Sequence, residues 1–354
     1  MARILYTICG VGVGHAQRSA EIISELKKAN EIMIASYGSA FDLLSCRFSN
    51  SAKLKWFELV FENGRYRKGK TFFRNLRLVP SVAKHNAISL YRLARRFKPD
   101  AIISDFDPNG VYLGKILGIP VTTISSMHLM NYAKPEMDFR EKMNYYITDK
   151  PVLEAFNPSS NFIIPSFWVP EFERENEYCF PPILRSVYGQ LLEKGIEEKS
   201  GQFTVYFHNG FLGEIVPLLR SFPEKRFFIY GSESEKKSGN VQFRRFSDEQ
   251  FSRDLLASEG VISHGGMSTL GECALLRKPC LTISSKEFFE RYYNAWLFGR
   301  EGFGRYSERA DKTVLENFFD GLPKHRKALK KANLKAGNGK ILEKISELIG
   351  KKYS

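Results

Sequence analysis

The sequence predicts an α/β fold built from two parallel-sheet domains in tandem. Short apolar runs alternate with segments of helical spacing through the first half of the chain, and the alternation resumes at FTVYF (203–207). Strands that alternate with helices are typical of a parallel sheet covered on both faces. The length of 354 residues fits two domains of about 150 residues each, with connections.

The elements of the first half follow from its hydrophobic pattern. Four short apolar runs are predicted strands: 3–9, 31–36, 101–106 and 121–126. Three segments in which apolar residues recur at helical intervals are predicted helices: 18–29, 82–97 and 109–119.

Prolines mark the division between the halves. Six of them fall between positions 151 and 182, where the alternation of strands and helices is lost. We therefore expect a first domain over 1–165, a linker over 166–200 and a second domain over 201–335. The basic segment 336–354 is predicted to be a helix that packs back on the domains.

Composition restricts the class of protein. Contents of 43% hydrophobic and 26% charged residues are those of a globular protein. No apolar run approaches the ~20 residues that a membrane-spanning helix needs, and the N-terminus lacks the pattern of a signal peptide. Five scattered cysteines without a CxxC pair predict reduced thiols rather than disulfides or a zinc site. The expected location is the cytoplasm.

The formal charge of +14 predicts an anionic partner. Between Arg65 and Lys98, basic residues interleave with aromatic and aliphatic ones. Such a surface suits the anionic headgroups of the inner membrane face, and it equally suits a solvated basic face. Binding to nucleic acid is the more remote alternative, because the chain carries no recognised nucleic-acid motif.

The stretch VISHGGMSTLGECALLRKPCLTIS (261–284) reads as a strand, a His-Gly-Gly loop at 264–266 and a helix. A glycine-rich turn before a helix brings backbone N–H groups and the positive end of the helix dipole close to an anion. An ordinary capping box, with Thr269 as N-cap and Glu272 returning to it, explains the same pattern. Both interpretations stay open at this point.

A second joint of this kind is CGVGVGHAQRS (9–19). It is not GxGxxG, and Ala35-Ser36-Tyr37 ends the next strand without the acidic residue of dinucleotide-binding folds. A nicotinamide cofactor is therefore not expected, and we predict no other cofactor. His15 follows the glycines at the carboxyl end of a strand, where open α/β sheets bind ligands. A third joint, Asn209-Gly210, offers phosphate donors or is an ordinary turn.

The chain resembles the two-domain GT-B glycosyltransferases, and is similar to the MurG-like and UDP-glycosyltransferase groups. Four segments carry the resemblance, in order: GVGVGH (10–15), CFPPILR (179–185), ISHGGMSTLGECALLRKPC (262–280) and FERYYNA (289–295). The resemblance implies two Rossmann-like domains that face each other across a cleft. It also implies a nucleotide-sugar donor, UDP-linked, and an enzyme that needs no metal.

The resemblance implies roles for individual residues. The loop at 264–266 would hold the donor diphosphate, Glu272 the ribose hydroxyls and Glu290 the sugar hydroxyls. Arg291 stands where the family commonly has Gln, which suits an acidic or unusual sugar. With the glycine joints included, the expected donor site is Gly12, Gly14, Asn209, Gly210, His264, Gly265, Gly266, Ser268, Thr269, Glu272, Glu290, Arg291 and Asn294.

His15 matches the position at which relatives keep a general base, and histidine has a suitable pKa for that role. Asp105 and Asp107 either orient His15 or cap the end of their strand, with Asp105 as the candidate catalytic partner. His128 is expected to face the acceptor, with a purely structural loop residue as the alternative. The resemblance implies transfer to a hydroxyl with inversion at the sugar, and a lipid or lipid-linked molecule is one candidate acceptor. Asp105 and Asp107 together also read as a metal-binding Asp-x-Asp. A sugar-nucleotide hydrolase, an epimerase and a non-catalytic sensor are the alternatives on the same fold.

Overall fold

The computed structural model describes residues 1–56, 60–62, 65–66, 68–76, 78–207, 209–232, 234–286 and 288–350. The chain forms two compact units. The first consists of Met1–Leu59, Lys68–Ile183 and Ala336–Ser354, and the second of Val60–Arg67 and Leu184–Lys335.

The described strands and helices are numbered in chain order. The strands are β1 (Arg3–Ile8), β2 (Glu31–Ser36), β3 (Ser51–Lys53), β4 (Phe61–Glu62), β5 (Arg65–Tyr66), β6 (Ala101–Asp105), β7 (Val121–Ile124), β8 (Asn161–Pro165), β9 (Glu177–Phe180), β10 (Gln202–Tyr206), β11 (Arg226–Tyr230), β12 (Lys237–Ser238), β13 (Val241–Phe243), β14 (Gly260–Ser263), β15 (Cys280–Ile283) and β16 (Gly304–Ser307). The helices are α1 (Gly14–Leu26), α2 (Gly38–Arg47), α3 (Lys68–Leu76), α4 (Val79–Phe97), α5 (Pro108–Leu117), α6 (Phe139–Asn144), α7 (Lys150–Glu154), α8 (Ser186–Glu193), α9 (Asn209–Arg220), α10 (Asp248–Ala257), α11 (Met267–Leu275), α12 (Phe289–Arg300), α13 (Lys312–Ala332) and α14 (Asn338–Gly350). A 3₁₀ turn covers Ser126–Asn131, and a π-helical turn, Tyr145–Asp149, joins α6 to α7.

The sheet of the first unit has the order β3-β2-β1-β6-β7-β8-β9, and its strand pairs are parallel. Side chains of β1 alternate between its two faces, as strand geometry requires. Ile4, Tyr6 and Ile8 pack in the cluster that includes α1 and α2 residues, whereas Leu5 packs with residues of α4 and α5. The sheet is therefore covered by helices on both faces.

The sheet of the second unit has the order β12-β13-β11-β10-β14-β15-β16. Its strands are parallel except for the short antiparallel pair β12–β13. Phe203, Val205 and Phe207 pack in a core with residues of α9 and α13. The two sheets confirm the predicted α/β class with two parallel-sheet units.

Helix α1 begins at Gly14, four residues before the predicted start. The buried residues of α1 start at Ala16. Near the start of the helix, His15 and Arg18 contact a buried carboxylate, Asp105, instead of an apolar core. The hydrophobic pattern cannot detect a helical turn whose inner face is polar.

The segment 166–200, expected as a linker, is divided between the two units. β9 pairs in parallel with β8, which makes 177–180 the edge strand of the first sheet. The change of unit falls between Ile183 and Leu184, and α8 belongs to the second unit. Because β9 is short and lies among prolines, its pairing is not visible in the local pattern.

The C-terminal segment returns to the first unit through α14. Ile341 and Ile345 are fully buried in the cluster that covers one face of the first sheet. At the return point, the N–H of Gly337 donates to the Pro182 carbonyl at 2.8 Å. A Cβ at position 337 would lie 2.1 Å from the Pro181 carbonyl oxygen, so this approach requires glycine.

Two further findings concern the membrane and the thiols. Within the part of the chain that the structure describes, none of the helices combines the length and apolarity needed to cross a bilayer. All five cysteines are free thiols, four of them buried.

Candidate active site

The carboxyl end of β1 brings His15 to Asp105, the last residue of β6. His15 Nδ1 lies 2.7 Å from Asp105 Oδ1. The His15 side chain is 21% exposed, whereas Asp105 is fully buried. The pairing of β1 with β6 places Ile8 opposite Asp105, so the helix that starts after β1 carries His15 onto the carboxylate.

Asp105 is the centre of a buried polar cluster. Its Oδ2 accepts hydrogen bonds from Arg18 Nε at 2.8 Å and from Ser19 Oγ at 2.6 Å, and Arg18 Nη2 donates to Oδ1. Burial alone raises the pKa of Asp105, but the charge and hydrogen bonds of Arg18, together with those of His15, hold that pKa well below its ordinary value. Asp105 is therefore a fixed carboxylate.

This carboxylate orients the His15 ring. An ionised carboxylate can only accept, so we assign the ring proton to Nδ1 and the basic lone pair to Nε2. Arg18 Nη2 also lies 3.0 Å from Nδ1, but a guanidinium cannot accept, and Asp105 is nearer. Phe106, with a left-handed φ of 52°, lies nearly parallel to the His15 ring at 5.9 Å between centroids.

Asp107 has a role different from that of Asp105. It is buried and is the N-cap of α5, and its Oδ1 accepts from Asn109 Nδ2 at 2.7 Å. Burial raises the pKa of Asp107 to about 6. Across the described residues there is no group of three or more His, Cys, Asp or Glu positioned to hold a metal ion. In the structure, Asp105 contacts His15 and Arg18, and Asp107 caps α5.

His128 lies inside the first unit, contrary to the expectation that it faces an acceptor. It is 4% exposed, its Nδ1 is 2.9 Å from Ser125 Oγ, and Phe162 lies 4.4 Å from it between ring centroids. Burial lowers the pKa of His128 to about 4, so the ring is neutral at pH 7. The sequence placed it correctly after β7 but could not show that aromatic neighbours enclose it.

In the second unit, α11 begins at Met267 with Gly266 as its N-cap, and no side chain caps it. The capping box predicted from Thr269 to Glu272 is wrong, because Thr269 already lies within the first turn. Leu270 N–H donates to the Gly266 carbonyl at 3.0 Å as the first intrahelical bond. The N–H groups of residues 267–269 therefore have no partner within the helix.

The His-Gly-Gly loop packs closely against α12. Gly265 has φ of 84°, and a Cβ there would lie 2.9 Å from the Arg291 carbonyl oxygen. Asn294, 3% exposed, donates from Nδ2 to the Gly265 carbonyl at 3.2 Å. The buried Asn294 amide therefore holds the His-Gly-Gly loop in place through a hydrogen bond within the protein. The His264 ring stands edge-on to Tyr206 at 5.3 Å.

Two charged residues occupy the first turn of α12. Glu290 and Arg291 are both partly exposed. The Arg291 guanidinium lies over the Phe288 ring at 4.5 Å, and burial lowers the pKa of Arg291 while Glu290 opposes that shift.

Asn209 and Gly210 are the first two residues of α9, and His208 lies outside the described residues.

The Glu272 carboxylate is engaged by Arg185, a residue that the sequence reasoning missed. Arg185 donates from Nε to Oε1 and from Nη2 to Oε2, the latter at 2.8 Å, and Tyr188 Oη donates to Oε2 at 2.8 Å. Arg185 also pairs with the more exposed Asp248. The Arg185 and Glu272 side chains are 5% and 6% exposed. The available signal was that Glu272 is the one charged residue of α11 and lies between apolar neighbours, because a buried carboxylate needs a partner.

Comparison with protein families shows to which family the chain belongs. The model of glycosyl transferase family 1 matches residues 2–323. The chain belongs to glycosyl transferase family 1. The enzyme is therefore a glycosyltransferase, as the sequence resemblance implied. An uncharacterized glycosyltransferase of Methanosarcina mazei is 26% identical over 331 residues, which cover 86% of this chain and 85% of the relative.

Solved structures show the same fold. The glycosyltransferase VinC in complex with DTDP matches with a TM-score of 0.65 at 13% identity, covering 99% of this glycosyltransferase and all of VinC. MurG of Acinetobacter baumannii matches with a TM-score of 0.61 at 14% identity, covering 98% of this chain and all of MurG. The GT-B fold predicted for this glycosyltransferase is confirmed.

Proposed function

We propose that this glycosyltransferase moves a sugar from a nucleoside-diphosphate donor, UDP-linked, to a hydroxyl acceptor with inversion at the anomeric carbon. The observation that carries the proposal is the His15–Asp105 pair, 2.7 Å apart at the carboxyl ends of β1 and β6. A base oriented by a buried carboxylate is what activation of a hydroxyl requires.

The base assignment leads to a balanced reaction. His15 Nε2 takes the acceptor hydroxyl proton as the oxygen forms its bond to the anomeric carbon. The bond from that carbon to the diphosphate oxygen breaks, and its electron pair leaves with the nucleoside diphosphate. The imidazolium that forms is stabilised by the Asp105 carboxylate, which stays ionised. Attack opposite the leaving group inverts the anomeric centre.

The leaving diphosphate is assigned to the N-terminus of α11. The uncapped N–H groups at 267–269 and the positive end of the helix dipole suit an anion, and Ser268 and Thr269 are partly exposed there. Gly12 in the loop after β1, Gly14 at the start of α1, and Asn209-Gly210 at the start of α9 remain proposed contributors. In this proposal the developing charge needs no metal. The VinC complex with DTDP supports a nucleotide donor in this fold.

Glu272 has fewer free acceptor positions for ribose hydroxyls than the resemblance implies. A carboxylate has about four lone-pair positions, and Arg185 and Tyr188 fill three of those on Glu272. We assign one ribose hydroxyl to the remaining position on Oε1. Glu290 and Arg291, partly exposed beside the Gly265 loop, are the proposed contacts of the sugar.

The basic segment supports an acceptor at an anionic surface. Positions 65–98 contain eleven Lys and Arg residues and no Asp or Glu. On α4, Lys84, Arg92, Arg95 and Arg96 are all exposed. Each such cation near an anionic bilayer contributes about 1 kcal/mol of attraction. We therefore propose a lipid or lipid-linked acceptor and work at the inner face of the membrane; Arg67 and Arg77 lie outside the described residues.

The test is the fate of labelled nucleotide sugars. UDP-, GDP-, dTDP- and CDP-sugars are incubated with the enzyme, with and without a lipid extract as the source of acceptor. The proposal predicts that a UDP-sugar is consumed only when extract is present, with the label appearing in a lipid product. Equal consumption without extract would show a hydrolase, and an altered sugar still attached to nucleotide would show an epimerase.

A further inference from the structure

Phe106 has a backbone conformation that is unusual for its residue type. Its φ is 52°, in the left-handed region that glycine and asparagine enter readily and that bulky side chains rarely adopt. Among the other described non-glycine residues with positive φ, Lys98 and Asn333 are the C-caps of α4 and α13, where this conformation is common. Phe106 instead lies in the short connection between β6 and α5. A phenylalanine at this position therefore needs a reason other than the path of the backbone.

Hydrogen bonds hold this conformation from both sides. The Asp105 carbonyl, which precedes Phe106, accepts from the Cys9 N–H at 2.9 Å. Asp107, which follows it, donates its N–H to Ser104 Oγ at 3.1 Å, and Ser104 Oγ donates to the Asp107 carbonyl at 2.8 Å. A strained residue persists where its surroundings fix it in this way, and such residues are concentrated at functional sites.

The same conformation places the Phe106 ring beside the proposed base. The His15 and Phe106 rings are 5.9 Å apart between centroids, with an angle of 9° between their planes. Phe106 also stacks with Phe156, at 4.7 Å and 18°. Phe156 is 1% exposed, and the buried His128 ring meets it edge-on at 6.1 Å. A connected series of rings therefore joins His15 to the core of the first unit, and His128 belongs to that series.

One hydrogen bond does not fix the plane of the His15 ring. The contact of 2.7 Å between His15 Nδ1 and Asp105 Oδ1 fixes the direction of Nδ1. The ring can still turn about the line that joins these two atoms. A second ring that lies parallel to it opposes this rotation, because offset-stacked rings attract each other and the turned ring would lose that contact. The direction of Nε2 then depends on Phe106 as well as on Asp105.

We propose that Phe106 is a positioning residue, whose ring sets the plane of the His15 imidazole for transfer of the acceptor proton. The inference rests on the proposed function, in which His15 is the general base. When His15 takes the proton, the imidazolium lies 5.9 Å from the Phe106 centroid, within the range in which a π face stabilises a cation. Phe106 thus acts on the reaction through His15.

The test is a double-mutant cycle between Phe106→Leu and His15→Ala, with the rate measured as transfer of label from the UDP-sugar. Leucine keeps an apolar side chain and a similar backbone penalty at positive φ, but it removes the π face. We expect Phe106→Leu to lower kcat roughly tenfold and to leave the KM for the donor nearly unchanged. In the His15→Ala background it should have no further effect. Phe106→Tyr, which keeps the ring, should retain most of the rate.

Proton NMR of the imidazole rings gives a readout that needs no turnover. The chain has six histidines, and the signals that disappear in His15→Ala are those of His15. The magnetic field of the parallel Phe106 ring shifts the His15 ring protons, so Phe106→Leu should move these signals and Phe106→Tyr should leave them nearly in place. The matched control is Phe139→Leu, since Phe139 is 80% exposed in the same unit. It should resemble the wild type in both measurements.

The outcomes separate this inference from the proposed function. If His15→Ala keeps its activity, the base assignment fails, and the role of Phe106 fails with it. If His15→Ala is impaired and Phe106→Leu lowers the rate by the same factor in both backgrounds, His15 remains the base and the inference about Phe106 is overturned. Wild-type rates and unmoved His15 signals in Phe106→Leu would also overturn it.

Discussion

Replacement of His15 by alanine should lower kcat/KM by about 10²- to 10⁴-fold, which is the contribution that a positioned general base makes. The variant removes the only group assigned to the acceptor proton and leaves the second unit unchanged. Initial rates with saturating donor measure the effect. Nucleotide binding, followed in parallel, should stay near its wild-type strength because the His15 side chain is assigned to the acceptor proton and not to the donor.

The control for this variant is His85→Ala, since His85 is an exposed histidine on α4 in the same unit. It should retain wild-type rates. If His15→Ala keeps nearly full activity, the base is another group and the His15–Asp105 pair is structural. A loss of nucleotide binding in His15→Ala would also contradict the assignment, because it would give His15 a role in holding the donor.

Replacement of Arg185 by methionine should destabilise the second unit by about 3–5 kcal/mol, because it leaves a buried carboxylate without its countercharge. Of the donors to Glu272 found among the described residues, Tyr188 alone would remain. The free energy of unfolding can be followed by urea through Trp296 fluorescence, in a background in which Trp56 and Trp168 are replaced by Phe. The three tryptophans are thereby reduced to the one in the second unit.

Two controls define the origin of this loss. The double variant Arg185→Met/Glu272→Leu should recover most of the stability, since apolar replacement of a whole buried pair is often neutral. Arg253→Met removes a surface pair with Glu249, whose side chains are 40% and 59% exposed, and should change stability by less than about 1 kcal/mol. Equal losses in Arg185→Met and Arg253→Met would show that the buried pair has no special importance.

The fold was accessible from local pattern, because buried parallel strands are short apolar runs and their helices have apolar spacing. The predicted strand 31–36 coincides with β2, and 101–106 and 121–126 differ from β6 and β7 by one or two residues. The sequence did not predict the start of α1, because its first turn is polar. It also did not predict the pairing of β9, because that pairing depends on the neighbouring strand β8.

The sequence predicted the site residues that local motifs mark, and it did not predict contacts between side chains that lie far apart in the chain. The sequence placed His15 and Asp105 at strand ends, and the parallel sheet brings those ends together. Arg185 and Glu272 are separated by 87 positions, and no local pattern announces their contact. For the same reason, the sequence could not show that Asn294 binds the Gly265 carbonyl or that Phe162 covers His128.

The most direct test of the nucleotide-sugar proposal is the affinity of UDP, measured by calorimetry in the presence of a chelator, for the wild type, Ser268→Asp and Ser268→Asn. Ser268 lies in the uncapped first turn of α11. An aspartate there favours the helix dipole, so the fold should not weaken, but it repels a bound diphosphate. We expect metal-free binding of UDP, weakened about tenfold or more by aspartate and little changed by asparagine, which has the same shape as aspartate without its charge. Equal affinity in all three proteins, or no binding of UDP to the wild type, would contradict it.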